Sequence, residues 1–320
     1  MHYDVFNGDA DGICALIQLR LALPLESELI TGIKRDIQLL DKISVKPGDS
    51  LTVLDISFKK NSQFVSNFLT AGATIFYVDH HQAGEIPSHP HLTTLIDTDS
   101  STCTSLLVNQ YLGGKFPLWA ITAAFGDNLN ISAKNLASSL PLGKVEVECL
   151  KNLGIYINYN GYGSSIEDLH FPPDVLYHEM VRYTSPFEFM SDNRQVYEKL
   201  ECGYNQDMAN AEMIKPVYQT GAVAVFILPD EAWARRVSGV FGNNLVNQNS
   251  SKAYAVLSHN KTGGYLVSVR APLNAKAGAD EFCSLFDTGG GRKSAAGINH
   301  LPTNQLDDFI AKFDAYYPKG

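Results

Sequence analysis

Three apolar, strand-like runs in this chain end in aspartate. Phe6 leads through Asn7 and Gly8 into Asp9-Ala10-Asp11-Gly12, Val53-Leu54 leads into Asp55, and Tyr77-Val78 leads into Asp79-His80-His81. Ligands of an open parallel sheet collect at the carboxyl edge of its strands, so these carboxylates are expected to converge. Left bare they would repel one another and hold protons, and the grouping makes physical sense with cations among them. Any one aspartate is read more simply as the cap of the helix that follows it; the set together is not. Oxygen ligands with an imidazole and no nearby thiol suit Mn²⁺ or Mg²⁺ rather than a structural zinc. With Asp127 of Gly126-Asp127-Asn128, the residues Asp9, Asp11, Asp55 and His80 outnumber what one ion with an open position needs. Two ions are expected, and a pair of this kind suits hydrolysis of phosphate esters, because it acidifies a bridging water and clamps a phosphoryl oxygen.

The elements that must position these groups alternate. Runs at 3–6, 29–33, 51–55 and 74–79 are short, apolar and β-rich, and helical patterns lie between them at 12–23, 36–43 and 60–71. Fully apolar strands separated by helices indicate βαβ units and a parallel sheet buried on both faces. Two further helices are predicted at 101–112 and 117–125. From about 150 to 215 the chain reads as a connector rich in Gly, Asn and Tyr, closing on one long amphipathic helix at 193–214. Strands are then expected at 222–228, 252–258 and 264–270, with helices near 231–247, 279–286 and 304–316. The fold class is therefore α/β: a parallel-sheet domain at 1–192, a linker helix at 193–215 and a smaller mixed α/β domain at 216–320.

At 320 residues the chain is long enough for two cores, and 45% hydrophobic with 18% charged residues is ordinary globular composition. No apolar run reaches the roughly 18 residues of a membrane span, and the N-terminus lacks the pattern of a signal peptide, so the expected location is the cytoplasm, without a membrane partner. Five scattered cysteines (Cys14, Cys103, Cys149, Cys202, Cys283) form no C-x-x-C pair and read as small core residues. The 25 basic against 34 acidic residues give a net charge of −9, which argues against a protein that coats long nucleic acid. The charge is uneven: residues 1–215 hold 15 basic and 26 acidic side chains, net −11, while residues 216–320 hold 10 and 8, net +2. That division suits metal ions on one side and an anion on the other.

The motifs Asp9-Ala10-Asp11-Gly12, Val53-Leu54-Asp55, Asp79-His80-His81 and Gly126-Asp127-Asn128 resemble, in order and spacing, the four motifs of the DHH phosphoesterase superfamily. Val267-Ser268-Val269-Arg270 and Gly289-Gly290-Gly291-Arg292-Lys293-Ser294-Ala295-Ala296-Gly297 are similar to the two signatures of its DHH-associated C-terminal domain. The resemblance implies an active site in the cleft between two domains. It implies that Asp55 bridges two ions, that Asp11, His80 and Asp127 complete one site, and that Asp9 belongs to the other. Asp79 would orient a histidine, as a ligating imidazole needs a partner on its second nitrogen, and His81 would face the scissile phosphate. Two features depart from the pattern. Val5 and Asn7 stand where relatives place a His or an Asp near the first motif, so the Asp9 site has an amide or water in place of a stronger ligand. Arg292 stands where the glycine signature has His.

A glycine run lets backbone N–H groups approach a phosphate, and arginine adds bidentate contacts. Ser268, Arg270, Gly289, Gly290, Gly291 and Arg292 are therefore the expected substrate-binding residues. Ser101 and Thr102 are read as helix caps, Tyr156, Tyr159 and Tyr162 as packing at a domain junction, and His89 and His91 as exposed loop residues. His2, His170, His178, His259 and His300 are read as lacking carboxylate companions. The expected activity is metal-dependent hydrolysis of short linear oligonucleotides, 5′-phosphorylated dinucleotides first among them and pGpG preferred. The alternatives are a 3′-phosphoadenosine-5′-phosphate phosphatase, a cyclic-dinucleotide phosphodiesterase, a RecJ-like single-strand exonuclease and a nucleotide-binding regulator with weak catalysis. The sequence leaves a homodimer open.

Overall fold

A computed structural model describes residues 1–260, 263–275 and 277–317. The chain divides into two compact units, Met1–Tyr204 and Asn205–Gly320, with the division falling inside the helix Arg194–Glu212; the last three residues of the expected second domain lie outside the described residues.

The first unit is built on five parallel strands: β1 (His2–Phe6), β2 (Glu28–Ile30), β3 (Ser50–Leu54), β4 (Thr74–Asp79) and β5 (Leu92–Ile96), in the order β2-β1-β3-β4-β5. The two central strands, β1 and β3, are buried at four of their five positions, which explains their near-continuous apolar sequence. Helices α1 (Ala10–Ala22) and α2 (Phe58–Thr70) follow β1 and β3. Then come α3 (Thr104–Tyr111), α4 (Pro117–Gly126), α5 (Asn130–Ser138), α6 (Lys144–Asn160), α7 (Pro173–Met180), α8 (Pro186–Asp192) and α9 (Arg194–Glu212). One core, with Phe6, Leu16, Trp119 and Ile157 at its centre, joins the sheet to α1, α3, α4 and α6; the other, with Val53, Phe58, Phe68 and Tyr77, joins it to α2.

The connector expected from residue 150 is a correction. α6 runs to Asn160, and Leu150, Leu153, Ile157 and Tyr159 are buried in it. Tyr156 and Tyr159 belong to the core of this unit and meet Tyr204 at ring-centroid distances of 5.4 and 5.0 Å. Their spacing of three is helical, and the glycines and asparagines around them mask the period. Gly154 is where α6 meets α4, since a Cβ there would lie 2.1 Å from the Thr122 carbonyl oxygen. His2 is a second correction: its Nε2 lies 3.1 Å from Asp4 Oδ1, a buried carboxylate.

The second unit carries β6 (Tyr218–Gln219), β7 (Val223–Ile227), α10 (Ala232–Gln248), β8 (Ala253–His259), β9 (Tyr265–Arg270), α11 (Ala279–Cys283), β10 (Gly289–Arg292), β11 (Ala295–Leu301) and α12 (Leu306–Tyr316). Its six strands form one sheet in the order β10-β11-β9-β8-β7-β6, mixed because only β7 and β8 pair in parallel, across the α10 crossover. Neither β5 nor the β10–β11 hairpin is among the strands expected from sequence. β5 is a half-exposed edge strand, and the glycines of β10 carry little strand propensity. Among the described residues no helix is long and apolar enough to cross a membrane.

Candidate active site

Asp9 sets the turn from β1 into α1. Its Oδ1 accepts the N–H groups of Asp11 and Gly12 at 3.0 and 3.1 Å, satisfying first-turn amides that have no partner within the helix. Only glycine fits at position 12, where a Cβ would lie 2.2 Å from the Asn7 carbonyl oxygen. The cap uses one oxygen of Asp9 and leaves Oδ2 for other work.

Asp11, in the same first turn, is 1% exposed. Each of its oxygens takes one N–H from the start of α3, Thr104 to Oδ2 and Ser105 to Oδ1, both at 2.7 Å. That helix starts at Thr104 rather than at Ser101 or Thr102, and Ser101 instead donates its N–H and hydroxyl to Asp99. Asp55 leaves β3 with φ +59°, a left-handed conformation that costs a non-glycine residue about 1–2 kcal/mol. Its Oδ1 accepts the Thr104 hydroxyl at 3.2 Å. Asp127 ends α4, with its N–H on the Ala123 carbonyl at 2.8 Å. The preceding Gly126 has no room for a Cβ, which would fall 2.5 Å from Ala10 Cβ and 2.7 Å from the Gly154 oxygen. This close approach of α4 to α1 and α6 brings Asp127 to the sheet edge.

Around His80 Nε2 stand Asp55 Oδ1 at 3.4 Å, Asp127 Oδ2 at 3.8 Å and Asp11 Oδ2 at 3.9 Å. Asp11, His80 and Asp127 offer ligand atoms that all lie within 4.8 Å of one another, and Asp55 Oδ1 adjoins the same His80 nitrogen, so the cluster could close around a cation. The electrostatics agree. Burial, and then the charges of Asp11, Asp9, Asp127 and Asp79, push the Asp55 carboxyl well above its ordinary value. Burial also raises Asp127, to about 6, against the opposing pull of Lys34. A divalent ion among such crowded carboxylates stabilises their charged forms. Asp11, Asp55, His80 and Asp127 fit such an ion.

Asp79, fully buried, serves the loop beside them. Its Oδ1 accepts the N–H groups of His80 at 2.9 Å and His81 at 3.2 Å and faces His81 Nδ1 at 2.7 Å, and its Oδ2 accepts the Phe58 N–H at 3.1 Å. The hydrogen bond to Asp79 raises the His81 pKa and fixes the ring by its Nδ1 edge. His81 can also be grouped with Asp55 and His80 as three potential metal ligands, but Nδ1 is already engaged by Asp79. With its side chain 44% exposed against 18% for His80, His81 is the more accessible imidazole.

Sequence reasoning missed Lys34. Its ammonium pairs with Asp9 Oδ2, donates to Asn158 Oδ1 at 2.8 Å and lies 3.5 Å from Asp127 Oδ1. The signal was present, since Lys34 directly follows a strand expected at 29–33 and so falls on the same carboxyl edge as the aspartates.

In the second unit the glycine signature is an ordered edge strand. Gly289, Gly290, Gly291 and Arg292 pair with Ile298, Gly297, Ala296 and Ala295. Gly291 has φ +147°, and a Cβ there would lie 2.5 Å from Ala296 Cα. Arg292 is exposed. Arg270 is held within the unit: Nη1 donates to Ser268 Oγ at 2.9 Å, Nη2 to the Gly239 carbonyl at 3.0 Å, and Nε to Asn243 Oδ1. Arg270 and Ser268 thus brace one another, tying β9 to α10.

Residues 219–319 match the DHHA1 domain. No curated protein matches the chain. Among solved structures, exonuclease RecJ bound to manganese is similar at TM-score 0.65 and 15% identity, over 98% of this chain and 89% of that one. Thermus thermophilus RecJ with Mn²⁺ is similar at TM-score 0.62 and 16% identity, over 99% of this chain and 52% of that one. The pGpG-specific phosphodiesterase PggH of Vibrio cholerae is similar at TM-score 0.55 and 15% identity, over 97% of both chains. The ordered aspartate and histidine motifs stand at the edge of a parallel sheet, the chain has the fold seen in RecJ, and residues 219–319 of its second unit carry a DHHA1 domain.

Proposed function

We propose that the protein is a divalent-metal-dependent hydrolase of phosphodiester bonds in short linear oligonucleotides, with 5′-phosphorylated dinucleotides, pGpG first, as substrates. One observation carries the reading: the ligand atoms of Asp11, Asp55 and Asp127 stand within 3.9 Å of His80 Nε2, in a site whose buried carboxyls need a cation. A bound Mn²⁺ or Mg²⁺ supplies Lewis-acid polarisation of the phosphoryl group and a more acidic water.

The protein's own groups do the rest. Thr104 and Ser105 amides hold Asp11 in place, and the Thr104 hydroxyl holds Asp55, so the ligand set is fixed in advance. Asp79 holds His81 by Nδ1 and favours its protonated form, which leaves Nε2–H as a donor to a phosphoryl oxygen. Arg292, at the end of a glycine edge strand in a unit of net positive sequence charge, is the group proposed to grip a terminal phosphate, with Gly289, Gly290 and Gly291 allowing close backbone approach and Ser268 and Arg270 bracing the neighbouring strand. Similarity to PggH over nearly the full length of both chains supports a dinucleotide substrate. The higher TM-score to RecJ favours, as a second reading, stepwise digestion of longer single strands.

Substrate length separates the two. Purified protein with Mn²⁺ and a ladder of 5′-phosphorylated oligonucleotides from dimer to 20-mer is expected to convert the dimer to mononucleotides fastest. Rates that climb with length favour the exonuclease, and no conversion of any member sinks both. His81→Ala is expected to cut turnover about 10²-fold with metal binding retained, as for a group that acts beside a metal rather than on it.

A further inference from the structure

A cation is already built into one side of the site. Lys34 Nζ has three oxygen neighbours, Asp9 Oδ2 in direct ion-pair contact, Asn158 Oδ1 at 2.8 Å and Asp127 Oδ1 at 3.5 Å. Its backbone is pinned at both ends: the Lys34 N–H donates to the Gly161 carbonyl at 2.8 Å, and the Lys34 carbonyl accepts the Asn7 side-chain amide at 3.1 Å. Asn7, 5% exposed, thus spends its donor on holding this lysine. Asp127 is shared, with Oδ2 toward His80 and Oδ1 toward Lys34. The two oxygens of one carboxylate therefore serve two neighbouring positions, the arrangement that bridges a pair of ions when both are metals about 3.5–4 Å apart.

We propose that the Lys34 ammonium takes the place of a second divalent ion, so that the protein holds one ion at Asp11, Asp55, His80 and Asp127, beside a lysine cation fixed on Asp9. The expectation of two ions from sequence is then met by one metal and one side chain. The charge balance is consistent with this. The ammonium of Lys34 and the carboxylate of Asp9 are in direct contact, so each charge is balanced by the other. A divalent ion at the same oxygens would have to displace a compact cation that already uses all three, and would meet its repulsion if it did not. The inference rests on the metal-dependent reading of the site, and its test counts ions rather than turnover.

Equilibrium dialysis of the full chain against Mn²⁺, followed by elemental analysis, is expected to give one ion per chain, with the six-line EPR signal of an isolated Mn²⁺ and no exchange-coupled pair. Lys34→Met, which keeps the length of the side chain and removes the charge, is expected to bind two, and Lys34→Arg one. Two ions in the wild-type protein would overturn the proposal, as would a folded Lys34→Met that still binds only one, since the ammonium would then not be what keeps the second ion out. If Lys34→Met does not fold by circular dichroism, the wild-type and Lys34→Arg counts decide, one ion in each supporting the proposal and two in either overturning it. No bound Mn²⁺ would remove both this inference and the metal-dependent reading; one bound Mn²⁺ without hydrolysis of any oligonucleotide would remove only the substrate assignment.

Discussion

The same parallel sheet buries aspartate within a strand and at its carboxyl edge, and treats the two in opposite ways. In the middle of β1, Asp4 is fully buried but surrounded by donors: Arg20 Nε at 2.7 Å from Oδ2, Ser27 Oγ at 2.6 Å from the same oxygen, and His2 Nε2 at 3.1 Å from Oδ1. Burial would raise the Asp4 pKa, but the bonds from Arg20 and His2 more than offset it and hold the carboxyl below its ordinary value. At the carboxyl ends, Asp55 is just as buried, yet its charged neighbours include four carboxylates, and its pKa moves the other way. A buried acid that the protein neutralises itself is architecture; one that it leaves crowded by its own kind is a place reserved for something from outside.

The largest effect expected from this contrast is on Asp55. Asp55→Asn keeps the shape and tolerates the left-handed backbone, so turnover on the best oligonucleotide should fall about 10³-fold while the metal-free protein melts at the same temperature or higher, since a repelling charge has gone. A melting point that drops by several degrees would mean that Asp55 is structural after all. Arg20→Met asks the converse question. It leaves Asp4 buried without its main partner and is expected to cost about 3–5 kcal/mol in urea unfolding, with turnover per folded molecule unchanged. Smaller again is the stabilisation by metal: Mn²⁺ at 100 times its Kd should add about 2.7 kcal/mol to the wild-type protein, to be reversed by a chelator, and nothing comparable to Asp55→Asn. Equal stabilisation of both proteins would place the ion elsewhere.

Much of this site was legible in the sequence because its residues lie at strand ends, where apolar runs break abruptly into aspartate. Asp9, Asp11, Asp55, His80 and Asp127 all come to one edge, and Asp79 meets the ring of His81 while holding His80 only by its backbone N–H. The residues that escaped notice make their contacts through folding rather than through local pattern. Lys34 follows a strand on the same edge, but its ion pair with Asp9 and its bond to Asn158, 124 positions away, form only in the fold. His2 and Asp4, two positions apart on β1, share one face of the strand, and Arg20 reaches both from the next helix. Likewise α6 was hidden by its glycines and asparagines, although Gly154 is required where α6 touches α4. Composition describes such segments as connectors; packing makes them core.

The bonds of Asp79 tie together parts of the chain that would otherwise move separately. One carboxylate accepts from the first residue of α2 and from both histidines, so the turn after β3 and the turn after β4 are fastened at a single point. The imidazoles therefore cannot drift without disturbing the start of α2, and the chemistry inherits the stiffness of the sheet instead of the looseness of its loops.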